Sequence, residues 1–91
     1  MTWYDYQMVV RQTNQTLDAV DVHFIGLAGE TGEVCSIRQK QMEGKTIDGK
    51  DELLEELGDV LWRLTAVADY YGFDLQHVAQ INADKVKARH G

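Results

Sequence analysis

Apolar side chains return at helical spacing along almost the whole chain, with three interruptions. Tyr6, Val9, Val10, Thr13 and Leu17 form the first run. They predict a helix over roughly residues 3–18, with Thr2 and Asp5 as a loose capping box at its start. Phe24, Leu27, Ala28, Thr31, Val34, Cys35 and Met42 predict a second helix from about Asp21 to Met42, apolar on one side. Gly26, Gly29 and Gly32 punctuate it. Each costs a helix about 1 kcal/mol relative to Ala. The trio therefore implies close approach by another backbone, the preferred reading, or a later helix start. Glu43 to Lys50 carries two glycines and breaks the period, as a loop does.

The cleanest stripe follows: Leu53, Leu54, Leu57, Val60, Leu61, Leu64, Val67, Ala68 and Tyr71. It predicts a core helix that starts near Asp51 and stops at Gly72. Asp74 can cap a fourth helix that turns Leu75, Val78, Ile81 and Val86 inward and ends near Arg89. The chain has 91 residues and no proline, which suits long helices. The expectation is one all-α domain over residues 1–91, like a four-helix bundle. A single core is marginal at this length, so completion by a second copy is expected.

Charge and composition narrow the function classes. The formal net charge is −6 with no basic run, which argues against a grip on a nucleic acid polymer. A single nucleotide arriving with its own cations is compatible with it, because bound metal reverses the local sign. Cys35 is the only cysteine, so a zinc cluster of cysteines is excluded. The start MTWYDYQ lacks a basic n-region, and no apolar run approaches the roughly 18 residues of a membrane span. A cytoplasmic protein that contacts no membrane is expected. Trp3, Tyr4 and Tyr6 admit packing, a dimer surface or base stacking.

The acids are the candidate chemistry. Glu30 and Glu33 are three apart, and so are Glu56 and Asp59. Residues three apart are neighbours on a helix surface. Glu30 and Glu33 lie at the edge of their apolar stripe and face Val34 and Ile37 at i+4, with no basic partner. Glu52 with Glu56 and Glu55 with Asp59 are like-charged pairs four apart, each unfavourable by about 0.2–0.5 kcal/mol. Two carboxylates about 5 Å apart repel by roughly 3 kcal/mol at an effective dielectric near 20. Four gathered together would need a cation, and oxygen ligands select Mg²⁺ or Mn²⁺. No Glu-x-x-His pair of the di-iron kind occurs. Spacing alone leaves a metal site and a solvated stripe both open.

At GLAGETGEV (26–34), ELGDVLWRL (56–64) and NADKVKAR (82–89) the sequence resembles the MazG-like nucleoside triphosphate pyrophosphohydrolases of the all-α NTP pyrophosphatase superfamily. The similarity runs from about residue 24 to the end. Its signature, Glu-x-x-Glu then Glu-x-x-Asp, falls on Glu30, Glu33, Glu56 and Asp59. The resemblance implies a MazG-type fold completed as a homodimer or homotetramer. It also implies hydrolysis of a (deoxy)nucleoside triphosphate to monophosphate and pyrophosphate. The four acids would hold Mg²⁺ at the phosphates, Glu30 or Glu33 would activate water, and Asn82, Lys85 and Arg89 would reach the triphosphate. Lys40 and Arg63 would assist there or serve as surface cations. Many members carry another acid where this chain has Gly29. Phosphoribosyl-ATP hydrolysis is a neighbouring alternative, and a non-catalytic helical dimerisation module is a distant one. His23, His77 and His90 read as surface or partly packed residues, Trp62 as core or interface, and Cys35 as inert packing.

Overall fold

The computed structural model describes residues 1–16, 18–45 and 48–90, and the described residues form four α-helices and no strand. They are α1 (Trp3–Thr13), α2 (Val20–Met42), α3 (Lys50–Tyr70) and α4 (Leu75–His90). The fold is all-α, as the periodicity predicts. Among the described residues, no helix is long and apolar enough to cross a membrane.

Local chemistry sets the boundaries. The Thr2 hydroxyl accepts from the Asp5 N–H and the Asp5 carboxylate accepts from the Thr2 N–H, which is the predicted capping box in full. Gly72 ends α3 with φ +72°. Its N–H donates to the Asp69 carbonyl and that of Phe73 donates to the Ala68 carbonyl, the two bonds of a Schellman cap. Gly44 ends α2 in the same manner at φ +71°, with Lys45 donating to the Lys40 carbonyl.

α1 stops at Thr13, about a turn earlier than its apolar pattern predicts. Asn14 is the reason: its side-chain oxygen accepts from both the N–H and the hydroxyl of Thr16, a local turn that competes with continued helix. Leu17, assigned to this helix by its spacing, lies outside the described residues.

α3 is the hub. α1, α2 and α4 all pack on it, α1 also packs on α4, and among the described residues the helix–helix packing of α2 is with α3 alone. α1 is held by Gln7, whose buried amide donates to the Phe73 carbonyl and to Asp69 and accepts from the Leu75 N–H. The first N–H of α4, that of Leu75, is thus satisfied by Gln7 on α1, while the Asp74 carbonyl accepts from the Val78 N–H, which puts Asp74 at the N-cap position the sequence suggests. Arg11 adds hydrogen bonds to both Asp69 oxygens.

Burial in one chain is thin. Val10, Ile37, Ala66, Ala68 and Leu75 are the buried apolar side chains among the described residues. The α3 stripe expected to form the core is half open, with Leu54 72% and Leu57 49% exposed. The radius of gyration, 15.3 Å, exceeds the roughly 12 Å of a compact chain this long. The bundle is opened out.

Arg11 and Gln7 hold the Asp69 carboxyl below its ordinary range, Arg11 more strongly and against the opposing effect of burial. Its contribution is therefore present above that range and lost as pH falls through the depressed value. Asp69→Asn should lower Tm at neutral pH and lose that deficit once the wild-type carboxyl is itself protonated, as thermal melts across acidic pH will show.

Candidate functional site

α2 and α3 run antiparallel along a seam whose register is fixed by three contacts. His23 and Gly26 meet Arg63, Glu30 meets Glu56 and Asp59, and Ile37 and Gln41 meet Gly49. The side of α2 that faces α3 is therefore His23, Gly26, Leu27, Glu30, Val34, Ile37 and Gln41, all buried or half-buried. The stripe predicted from apolar residues is rotated from it, and Phe24, Ala28, Thr31, Cys35 and Met42 are exposed. Polar groups occupy the seam, so hydrophobicity alone misplaces the packed face.

The glycines separate accordingly. A Cβ on Gly26 would sit 2.5 Å from Arg63 Nε, so this glycine does admit close approach, though by a side chain and not by backbone. Cβ atoms on Gly29 and Gly32 would meet nothing within 4 Å, so the described residues supply no packing reason for those two.

Carboxylate oxygens of Glu30, Glu56 and Asp59 all lie within 4.8 Å of one another. Glu30 and Glu56 are half-buried and Asp59 is exposed. Burial pushes the Glu56 carboxyl above its ordinary range, and the charges of Asp59, Glu30 and Glu33 push it the same way. One Glu56 oxygen, Oε2, is shut off from solvent and has no hydrogen-bond partner. An orphaned carboxylate oxygen amid other carboxylates is poised to receive a cation or a proton. These are the hard oxygen donors that divalent cations of the Mg²⁺ and Mn²⁺ type take. Glu33 is exposed and stands outside the trio, near enough for its charge to act on Glu56.

The remaining sequence candidates are more dispersed. Asn82, Lys85 and Arg89 share an exposed face of α4, and α4 does not pack on α2. Lys40 is exposed in the last turn of α2.

Other residues near the seam were not singled out by spacing. The Tyr6 hydroxyl is raised by partial burial and then by the charge of Asp59, which brings α1 to the edge of the carboxylate group. His23 is 2% exposed, not a surface residue. Its Nε2 lies 3.0 Å from both Asn14 Oδ1 and Thr16 Oγ1, and its Nδ1 lies 3.2 Å from Arg63 Nη1. The signal for His23 is its position seven residues before Glu30, on the same helix face. Trp62 donates to the Thr13 hydroxyl and lies edge-on to the His23 ring, which joins α1, α2 and α3 in one cluster.

The chain is similar to the Gene 37 protein of Mycobacterium phage L5, 35% identical over 69 residues, covering 71% of this chain and 60% of that protein. It is also similar to the uncharacterized protein YvdC of Bacillus subtilis (strain 168), 33% identical over 57 residues, covering 63% and 54%. The matched region thus spans little more than half the length of these relatives. No solved structure gives a significant match. The family model for the MazG nucleotide pyrophosphohydrolase domain matches residues 12–91, which takes in both pairs of acids and all of α2, α3 and α4. The chain belongs to the MazG nucleotide pyrophosphohydrolase domain family.

Proposed function

We propose that the chain hydrolyses nucleoside triphosphates, deoxynucleotides among them, at the α-phosphate to give a monophosphate and pyrophosphate. Glu30, Glu33, Glu56 and Asp59 would hold Mg²⁺, with Mn²⁺ as a substitute. The observation that most supports this reading is Glu56: a solvent-excluded, unpartnered carboxylate oxygen beside two further carboxylates. Such a site is electrostatically unfavourable until a cation occupies it. When bound, a divalent ion supplies neutralising charge for the phosphates and for the departing pyrophosphate.

The rest of the reaction falls to the chain's own groups. Water attacks the α-phosphorus, the bond to the bridging oxygen of the β-phosphate breaks, and the water proton passes to a carboxylate. Glu33 suits that last role because it is exposed at the margin of the trio. Glu30, inside the trio, suits a positioning role for the same water. Asn82, Lys85 and Arg89 provide donors and positive charge for the phosphate chain.

We also propose that the working form is a homodimer or homotetramer. Leu54, Leu57, Leu61 and Leu64 form an exposed apolar row on α3, and α4 is free of α2 within one chain. Association would cover the row and would allow α4 of one copy to approach the acids of another. Leu57→Asp should shift the particle to lower mass, and light scattering after size-exclusion chromatography will read it.

Pyrophosphate release from a panel of nucleoside triphosphates, with Mg²⁺ and with chelator, tests the reaction. Metal-dependent release from at least one triphosphate is expected. No release from any of them by a folded chain would sink the reading and leave phosphoribosyl-ATP hydrolysis or a non-catalytic helical module. Glu56→Gln should abolish release with helicity retained. Mg²⁺ should raise the Tm of the wild type and leave that of Glu56→Gln nearly unchanged, because binding to the folded state alone stabilises it by mass action.

A further inference from the structure

Arg63 lies one helical turn from Asp59 on α3, and its side chain crosses Gly26, one turn from Glu30 on α2. A guanidinium this near a carboxylate group would be expected to neutralise it, above all through Asp59, four residues earlier on the same helix. It does not. Among the described residues, the ion pairs are Arg11 with Asp69 and Lys45 with Glu43, and Arg63 enters neither. Arg63 instead reaches the other way, where Nη1 donates to His23 Nδ1 at 3.2 Å.

That bond fixes the histidine. An N–H from Arg63 requires a bare Nδ1, so the ring proton sits on Nε2 and points at Asn14 Oδ1 and Thr16 Oγ1. The imidazole is therefore neutral, in agreement with the downward push on it from burial and, secondarily, from Arg63. Trp62 lies beneath the guanidinium, whose carbon is 5.5 Å from the ring centroid. Arg63 is thus held on three sides by a neutral acceptor, an aromatic face and the missing Cβ of Gly26.

A guanidinium has five N–H donors, and one of them meets His23. The others find no partner among the described residues, and none of their nitrogens is sealed from solvent. A charged group held firmly with most of its donors vacant is built to receive an anion. The adjacent carboxylates are at the same time left unpaired for cations. Two opposite charge sites one turn apart match a metal-bound polyphosphate, which presents cations on one side and unneutralised oxygens on the other.

We propose that Arg63, latched to His23 across Gly26, binds a phosphate group of the substrate beside the acidic site. Arg63 is then a substrate-binding residue and His23 a positioning residue that acts through it. The inference rests on the reading of Glu30, Glu56 and Asp59 as the nucleotide site. It adds a hydrogen-bond donor to phosphate that comes from the α2–α3 seam itself and needs neither α4 nor a second copy.

The test uses inorganic tripolyphosphate with Mg²⁺ as the probe, titrated calorimetrically, beside KM and kcat for the best nucleotide. Arg63→Met keeps the stem and removes the donors. It should weaken tripolyphosphate binding about 10- to 100-fold, the range for charge-assisted hydrogen bonds, and raise KM similarly. Gly26→Ala keeps Arg63 but displaces its guanidinium, in a helix that alanine favours. It should weaken binding severalfold while circular dichroism and a cooperative melt show the fold retained, so a folding defect cannot imitate the effect. His23→Asn retains an acceptor near Nδ1 and should bind better than His23→Leu. Binding within twofold of wild type in both Arg63→Met and Gly26→Ala overturns the proposal, as does a wild type that binds no tripolyphosphate. A wild type that binds tripolyphosphate through Arg63 but hydrolyses no nucleotide overturns the proposed reaction alone.

Discussion

Where α2 and α3 press together, the middle of the contact holds carboxylates in place of leucines. Glu30 comes from one helix, Glu56 and Asp59 from the other, and Glu56 keeps an oxygen that is shut off from solvent and has no protein partner. Burial and like charge both disfavour its ionised form. An arrangement with this electrostatic strain persists because the rest of the pairing holds the helices in register. Ile37 and Gln41 close over Gly49 at one end, and the His23–Arg63–Trp62 cluster closes the other. The site is a gap in the packing between two anchored ends.

The same economy leaves the chain open elsewhere. α3 carries a stripe that three helices do not cover, and the N-terminal aromatics line an open groove with Leu61 and Leu75. Trp3, Tyr4 and Tyr6 all border that groove, and Tyr6 also feels the charge of Asp59. The groove and the carboxylate group are therefore neighbours along α3. A chain that commits the middle of its main helix–helix seam to acids has little left for a self-sufficient core.

What could be read from the sequence follows from how local each signal is. The capping box at Thr2 and Asp5 and the glycine stop at Gly72 are short-range chemistry and stand where they were expected. The paired acids are regular enough that Glu30, Glu56 and Asp59 could be nominated before their convergence was visible. The packed face of α2 was legible only in part: Leu27 and Val34 lie on it as their spacing predicts, but His23 and Glu30 complete it where an apolar count gives Phe24 and Ala28. The end of α1 depended on an Asn14 side chain that closes a turn, against an apolar period that runs on. Gln7, His23 and Arg63 matter through partners more than 35 residues away or across a loop, and no spacing rule reaches that far.

The central claim is that the α2–α3 seam, and not the acidic surface at large, is where a divalent cation settles. Titrating Mn²⁺ into the isotopically labelled chain and following paramagnetic broadening residue by residue measures this directly. The account predicts that resonances of Glu30, Glu56 and Asp59 disappear first, with Glu33 and Arg63 close behind. Broadening that starts at Asp51, Glu52 and Glu55, or spreads evenly over all acids, would contradict it.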